Sequence, residues 1–300
     1  MPVLFSILIA NYNNEAFFED CFNSIMAQTY QDFEVVIVDD ASTDNSFDVI
    51  AKMVANDKRF RVFSNEKNEG CGFTKRRCAQ LATGDICAYL DPDDTITDNA
   101  LEVMANAHKE NPEACIVSAK YTLTDLNLNI TGYGTHGQQI PEGESYLTFG
   151  NGAITAFASF KKACYDQSSG IDTKFKRAVD QDLYLKLEEF GPQIFVDQFL
   201  YFYRINDNSI SANKNLFKAE YWHFLAKKDA YYRRKNRKTL AKNLTPKQFK
   251  ALQNNYYISR FQREAKESHI AKKYYFLFKS FGFFADWKYK ILCLIKPKYY

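Results

Sequence analysis

The sequence is poor in histidine, methionine, tryptophan and glycine, with 4 His, 4 Met, 2 Trp and 12 Gly among 300 residues. Its seven Cys contain no Cys-x-x-Cys pair, so a zinc site has too few ligands to draw on. No stretch approaches the ~18 uncharged apolar residues of a bilayer span, so no membrane-crossing helix is expected. The first residues, Met1-Pro2-Val3-Leu4-Phe5-Ser6-Ile7, lack a basic n-region, so no signal peptide is expected. There is no internal repeat and no low-complexity segment. Cys87, Cys115 and Cys293 sit inside apolar runs, and an odd Cys count without pairs predicts free thiols in a reducing compartment.

What is present is apolar and aromatic. Hydrophobic residues make up 46%, enough for a sizeable core and too many for a disordered chain. The 26 Phe and 20 Tyr need either core space or a binding surface. The net charge of +3 hides a split. Residues 1–213 carry 17 basic and 31 acidic side chains, a net −14; residues 214–300 carry 22 and 5, a net +17. A basic C-terminal region facing something anionic is implied.

Residues 3–10 form a nearly continuous apolar run, the pattern of a parallel strand buried on both faces. Similar runs occur at 33–38, 61–63 and 86–90. Between them lie segments of helical periodicity at 15–29, 45–56 and 72–82. The first hundred residues thus read β-α-β-α-β-α-β, a doubly wound, mostly parallel sheet covered by helices. A helix over 98–110, a strand at 115–118, a Gly-rich loop segment at 127–152, a helix over 178–190 and strands at 195–196 and 200–203 follow. Lysines alternate with aromatics from residue 214 on, with helical periodicity throughout.

Ligands of such sheets bind beyond the carboxyl ends of the strands. Three groups of polar residues sit there: Asn11–Asn14, Asp39-Asp40 and Asp91-Pro92-Asp93-Asp94. Crowded carboxylates repel unless a cation or donors stand among them, and a hard divalent cation answers this. The plain structural alternative is an Asx turn with a helix cap. Asp39-Asp40 can accept hydrogen bonds from a nucleobase imide or a ribose, or simply form a turn through Ser42. Asp180 and Asp182 open a helix, where an ionised carboxylate is favoured and can serve as a general base. Taken alone, dipole complementation without catalytic consequence is the favoured explanation of them. Arg204, just past an aromatic strand, suits phosphate.

Taken in order, Ser6-Ile7-Leu8-Ile9-Ala10-Asn11-Tyr12-Asn13, Val36-Ile37-Val38-Asp39-Asp40-Ala41-Ser42, Asn68-Glu69-Gly70 through Gly84-Asp85, and Tyr89-Leu90-Asp91-Pro92-Asp93-Asp94 resemble the large inverting glycosyltransferase family 2, with a GT-A fold. Ala178-Val179-Asp180-Gln181-Asp182-Leu183 resembles that family's Glu-Asp-x-Asp-Leu helix. Tyr203-Arg204-Ile205-Asn206-Asp207-Asn208-Ser209-Ile210-Ser211 resembles its closing Tyr-Arg-x-His-x-x-Ser-x-Ser motif. The resemblance covers about residues 3–212.

By this resemblance, Ala10, Tyr12 and Glu15 border the nucleotide and Asp40 contacts its base. Lys75 stands where the family commonly has Arg, near base and phosphates. Asp91 and Asp93 form the Asp-x-Asp motif for Mn2+ or Mg2+, with Asp94 beside them. Asp180 is the base, Asp182 its neighbour on the helix, and Arg204 steadies the diphosphate or the closing loop. The chain departs from the pattern at Ala10-Asn11 (usually Pro-Thr), Val179 (usually Glu) and Asn206 (usually His).

The implied organisation is a GT-A domain over 1–213, split into a nucleotide-sugar half (1–98) and an acceptor half (99–213), with a basic, mainly helical extension over 214–300. The implied reaction moves a sugar from a UDP-hexose-type donor to a hydroxyl of a glycan or lipid-linked saccharide, in cell-surface polysaccharide synthesis. Expected partners are that donor, that acceptor and a membrane surface engaged by 274–295. The expected location is the cytoplasm, or the inner face of the cell membrane. No nucleic acid is expected, although a basic, aromatic tail could bind it, or could pack on the catalytic domain with its lysines solvated. A nucleotidyltransferase is the rival enzyme, but its Gly-rich loop is missing from Ala10–Asn14. A glycan-binding relative without activity, suggested by Val179 and Asn206, is the remaining alternative.

Overall fold

The apolar runs of the first hundred residues become β1 (Phe5–Asn11), β2 (Phe33–Asp39), β3 (Phe60–Ser64) and β4 (Ile86–Tyr89). The connecting helices are α1 (Phe18–Met26), α2 (Ser46–Val54) and α3 (Cys71–Leu81). The computed structural model describes residues 3–150, 152–206, 216–266, 275–276 and 278–279. These four strands pair in parallel in the order β3-β2-β1-β4. Their continuous apolarity is explained by burial on both faces. Leu8, Val36 and Val38 pack on α3 and later helices, while Phe5, Ile7, Ile9 and Ile37 pack on the opposite side with Phe18, Ile25 and Ile50. Each such fully buried side chain contributes ~1.5–3 kcal/mol.

The second half adds β5 (Thr95–Ile96), α4 (Ala100–Glu110), β6 (Ile116–Thr124), β7 (Ile130–Tyr133), α5 (Tyr146–Phe149), β8 (Ser159–Lys161), α6 (Lys162–Gln167), α7 (Val179–Leu187) and β9 (Gln193–Arg204). Among the described residues the sheet has nine strands in the order β3-β2-β1-β4-β8-β6-β9-β5, with β7 on β6. Here β8 is antiparallel to both β4 and β6, β7 antiparallel to β6, and β5 antiparallel to β9; only β6 and β9 run parallel. The two strands expected at 195–196 and 200–203 are one irregular strand, β9. Its register against β6 shifts around Lys120, which bends it. The Gly-rich stretch 127–152 is not all loop, since it contains β7 and α5.

Cysteine needs a correction. Cys115 and Cys164 form a disulfide, with Cα atoms 6.0 Å apart and a sequence separation of 49. The β6–β8 pairing causes this: Ile116 lies opposite Phe160, so the residue before β6 meets the first turn of α6. Cys21, Cys71, Cys78 and Cys87 are free, and Cys293 lies outside the described residues. The cysteines therefore give no argument for a reducing compartment.

Downstream, α8 (Leu216–Lys235) and α9 (Pro246–Lys266) are helical as read. Trp222, Ala226 and Ala230 pack into the core beside Phe175 and Leu183. Phe224 stacks on Tyr256 and Tyr231 on Phe249. Arg234 is fully buried and ion-paired to Glu188 and Glu189. For α8 and α9, then, aromatics and some cations are spent on packing. The 213/214 boundary, the Asp207–Ser211 part of the closing motif and nearly all of 274–295 lie outside the described residues. No helix among the described residues is long and apolar enough to cross a membrane.

Candidate active site

The parallel register sets the site. Asn11 pairs with Asp39 at the ends of β1 and β2. Leu90 follows β4 and donates its N–H to Leu8 O at 3.0 Å, so residues 91–94 emerge at the same sheet edge. Asp91-Pro92-Asp93-Asp94 closes as a turn, Asp94 N to Asp91 O at 3.0 Å, with Pro at the position that favours it.

Asp180 arrives from α7. The residue before this helix, Ala178, holds a left-handed φ of 53°. A non-glycine residue there is strained, and such strain gathers at functional sites. The approach of α3 to the chain leading into α7 requires glycine: a Cβ on Gly72 would sit 2.6 Å from Phe175 O.

Between Asp91 and Asp180 stands Lys75 of α3. Its ammonium lies 3.2 Å from Asp91 Oδ1 and 3.0 Å from Asp180 Oδ1, and 5.1 Å from the centre of the Tyr89 ring. The Lys75 side chain is 6% exposed, whereas Asp91 and Asp180 are 45% and 46% exposed. Burial pushes the Lys75 pKa down, but the facing Asp180 and Asp91 charges outweigh it and leave it well above the ordinary value. One buried cation thus joins the Asp-x-Asp turn to the candidate base. Their two oxygens are no more than about 6 Å apart. Tyr89 supports the arrangement by donating its hydroxyl to Lys75 O at 2.8 Å.

The other flank of the turn is closed. Asp94 accepts from Tyr201 Oη at 2.6 Å and from Arg204 N at 2.7 Å. Burial, then the Asp93 and Asp91 charges, raise its pKa well above the ordinary value. Arg204, expected at the diphosphate, has a side chain only 2% exposed. It donates to Asp93 O at 2.7 Å, Leu126 O at 2.5 Å and Asp20 Oδ2 at 2.8 Å, and lies over the Phe17 ring. Its donors are engaged by protein, so in this structure it braces the acidic turn against α1 and the β6–β7 turn.

Asp40 is buried. Its oxygens accept from Asn65 Nδ2 at 2.6 Å, Glu69 N at 2.9 Å and Gly70 N at 2.8 Å, fixing the segment that starts α3. Asp39 bonds Asn11 and Ser42, the turn expected of it. Tyr12 is exposed. Glu15 accepts from Asn45 N at 3.2 Å, so the loops after β1 and β2 are laced together. Ala10 packs partly buried against the core. Asp182 points away from this group. It is buried, ion-paired to Lys186 at 2.6 Å, and accepts from Asp172 N. The structure therefore brings together Lys75, Asp91, Asp93, Asp94, Asp180 and Arg204, and leaves Asp182 on a separate structural pair.

Asp93 carries a pKa raised to about 6, by burial first and then by the Asp91 charge. Among the described residues no group of three or more His, Cys, Asp or Glu forms a metal cluster. The donor set is the Asp91 and Asp93 pair. Two carboxylates suit Mg2+ or Mn2+, which keep waters and take further oxygens from phosphates, so the residues present fit such an ion.

Sequence reasoning missed Tyr89, Tyr201, Asn65, Asp20 and Phe17, which hold the site residues. Two of them had a signal: Tyr201, in an aromatic strand ending at Arg204, and Tyr89, at the head of the Asp91–Asp94 motif.

The Glycosyl transferase family 2 model matches residues 6–161. Chondroitin synthase of Escherichia coli is 30% identical over 205 residues, covering 66% of this chain and 28% of that relative. This chain spans less than a third of the length of such curated relatives. The crystal structure of S. aureus TarS 1–349 in complex with UDP superposes with a TM-score of 0.62 at 16% identity, covering 99% of this chain and 92% of that one. The same fragment in complex with UDP-GlcNAc gives 0.62 at 18% identity, covering 90% and 89%. At these identities the likeness shows the fold.

Proposed function

The chain belongs to glycosyl transferase family 2, and from that premise we propose that it performs a metal-assisted, inverting sugar transfer centred on Asp180, Lys75 and Asp91–Asp93. The donor is a nucleotide diphosphate sugar of the UDP-hexose type, in keeping with the UDP and UDP-GlcNAc named for TarS. The acceptor is a hydroxyl of a glycan or lipid-linked saccharide, in polysaccharide synthesis, in keeping with the chondroitin synthase relative. The observation that carries the reading is the single buried ammonium bridging the half-exposed Asp91 and Asp180 carboxylates.

Asp91 and Asp93 would hold Mn2+ or Mg2+, which neutralises charge developing on the leaving diphosphate. Asp180 accepts the acceptor's hydroxyl proton as that oxygen bonds to the anomeric carbon. The bond from that carbon to the diphosphate oxygen breaks on the opposite face, and its electron pair leaves with the nucleotide. One displacement inverts the centre and needs no covalent enzyme intermediate. Lys75 keeps Asp180 positioned and offers a positive charge beside the diphosphate. Tyr12, Glu15, Ala10 and the Asp40-anchored segment border the base. Asp94 and Arg204 hold the acidic turn in shape.

On this reading residues 1–213 are the GT-A unit, with 1–98 serving the donor and 99–213 the acceptor. Of the basic region 214–300, residues 274–295 are the part that would approach an anionic membrane face from the cytoplasmic side. The test is UDP-sugar binding and hydrolysis across a donor panel, with and without Mn2+ or Mg2+. Donor binding that needs the metal and is lost in Asp93→Ala supports the reading. Failure of every nucleotide sugar to bind overturns it.

A further inference from the structure

Two large rings stand exposed on the acceptor half. Tyr133 is 60% exposed and Phe199 is 39% exposed, and their ring centres are 4.9 Å apart at an interplanar angle of 56°. Two exposed rings in mutual contact form a patch, unlike the scattered single apolar residues that need no explanation.

The pair is built into the sheet. Tyr133 of β7 lies opposite Thr122 of β6, and Phe199 of β9 lies opposite Lys120 of β6. Gly134 donates its N–H to Tyr121 O at 2.8 Å, and a Cβ on Gly134 would meet the Tyr121 ring at 2.3 Å. Tyr121 therefore lies flat on one face of the β7 end, and this fixes Tyr133 on the other face. Lys120 places its ammonium 5.4 Å from the centre of the Phe199 ring and pairs with Asp197. Rings flanked by a cation and a carboxylate make an apolar floor with a polar edge.

The face they occupy matters. Side chains alternate along β6. Val117 and Ala119 join the core under α4, and Ile116 joins the core under α7. Lys120 and Thr122 follow Ile116 in that alternation, so the Tyr133–Phe199 pair lies on the α7 face, the side from which Asp180 enters. The β6–β7 turn also touches the acidic turn, because Arg204 donates to both Leu126 O and Asp93 O. The platform is thus tied through one side chain to the site.

We infer that Tyr133 and Phe199, edged by Lys120 and Asp197, form a stacking platform for pyranose rings of the acceptor saccharide several sugars away from the reacting hydroxyl. This rests on the glycosyltransferase reading. An aromatic face takes the apolar C–H face of a sugar ring, while the flanking charged groups take its hydroxyls. The platform binds a chain, so affinity rises with oligosaccharide length.

The test uses the full chain and an array of defined oligosaccharides, including chondroitin fragments of increasing length, with UDP and Mn2+ titrated separately. In the wild type, affinity for the bound glycan class rises with length. Tyr133→Ala together with Phe199→Ala weakens the longer oligosaccharides at least fivefold, leaves the shortest ones unchanged and leaves UDP affinity unchanged. Tyr133→Trp keeps the longer-chain affinity, which a folding defect would not. The inference is overturned if the double variant binds long oligosaccharides as well as the wild type does, or if UDP binds and no oligosaccharide does. It is equally overturned if the double variant only dissociates a wild-type dimer in sedimentation, which would make the platform a contact between copies. If UDP and every nucleotide sugar of the donor panel fail to bind, the glycosyltransferase reading falls, and the platform falls with it.

Discussion

The acidic turn at residues 91–94 has two flanks that use the same chemistry to opposite ends. On one side, Asp91 and Asp180 are each about half exposed and share the Lys75 ammonium. On the other, Asp94 and Arg204 are buried, and their polar atoms are engaged by Tyr201, Asp20 and backbone groups. A carboxylate with one cationic partner and an open face can exchange partners with a ligand. A carboxylate whose oxygens already accept from buried donors has no such freedom, because undoing those bonds strands polar groups in the interior. The open flank is where reaction chemistry belongs, and the closed flank is what keeps it in register.

Substitution separates the two. Arg204→Met keeps the side-chain stem but leaves the Asp93 and Leu126 carbonyls without their donor. Stability should fall by about 3 kcal/mol in urea unfolding, with donor affinity lost only as the fold is lost. A stable Arg204→Met chain that fails to bind donor would put Arg204 on the open flank after all. Lys75→Met should lower turnover ~100-fold, since it releases Asp180 and Asp91 from their common partner. Lys75→Arg should recover most of this, and equal turnover of the Met and Arg variants would dissolve the claimed bridge.

The next effect comes from a buried group remote from both flanks. His108 bonds Ser159 at 3.0 Å and has its pKa pushed down to about 3, by burial first and then by the Lys161 charge. The folded form stays neutral while the unfolded chain takes up a proton below pH ~6.5. Its contribution to stability is complete above that pH and is lost as pH falls toward 3, amounting to about 2 kcal/mol by pH 5. His108→Gln should flatten that part of the stability–pH curve, and an unchanged curve would mean that the acid sensitivity lies elsewhere. The smallest effect expected is at Ala178. Ala178→Gly relieves the left-handed φ of 53° and should gain up to about 1 kcal/mol in unfolding free energy. A loss of stability would show that the backbone there is held without strain.

The two halves of the sheet differed in how plainly the sequence foretold them. Strands β1 to β4 are local and doubly buried, so their apolar runs are unbroken and the helices between them are periodic. In the second half the pairings are long-range. Strand β8, Ser159-Phe160-Lys161, is too short to stand out, and β7 lies inside a Gly-rich stretch. The Cys115–Cys164 disulfide depends on the β6–β8 pairing and has no spacing signature. The acidic positions of the site were legible because crowded carboxylates at strand ends are costly without a purpose. Their division of labour was not legible. Nothing in Tyr203-Arg204-Ile205 says that the guanidinium turns inward to Asp20 and Asp93 O. The pairing of Asp182 with Lys186 four residues on follows from helix spacing, but its burial, against the exposure of Asp180, becomes visible only once α7 is packed.

The measurement that goes most directly to the central claim is turnover and donor affinity, taken together, for Asp180→Asn in the presence of Mn2+. The substitution keeps size and a hydrogen-bonding partner for Lys75 while removing the basic oxygen. If Asp180 takes the acceptor's proton, turnover falls ~10²–10⁴-fold and the donor dissociation constant stays within about twofold of the wild type. Turnover that survives the substitution, or a loss confined to donor affinity, would contradict the account and move the general base to another residue.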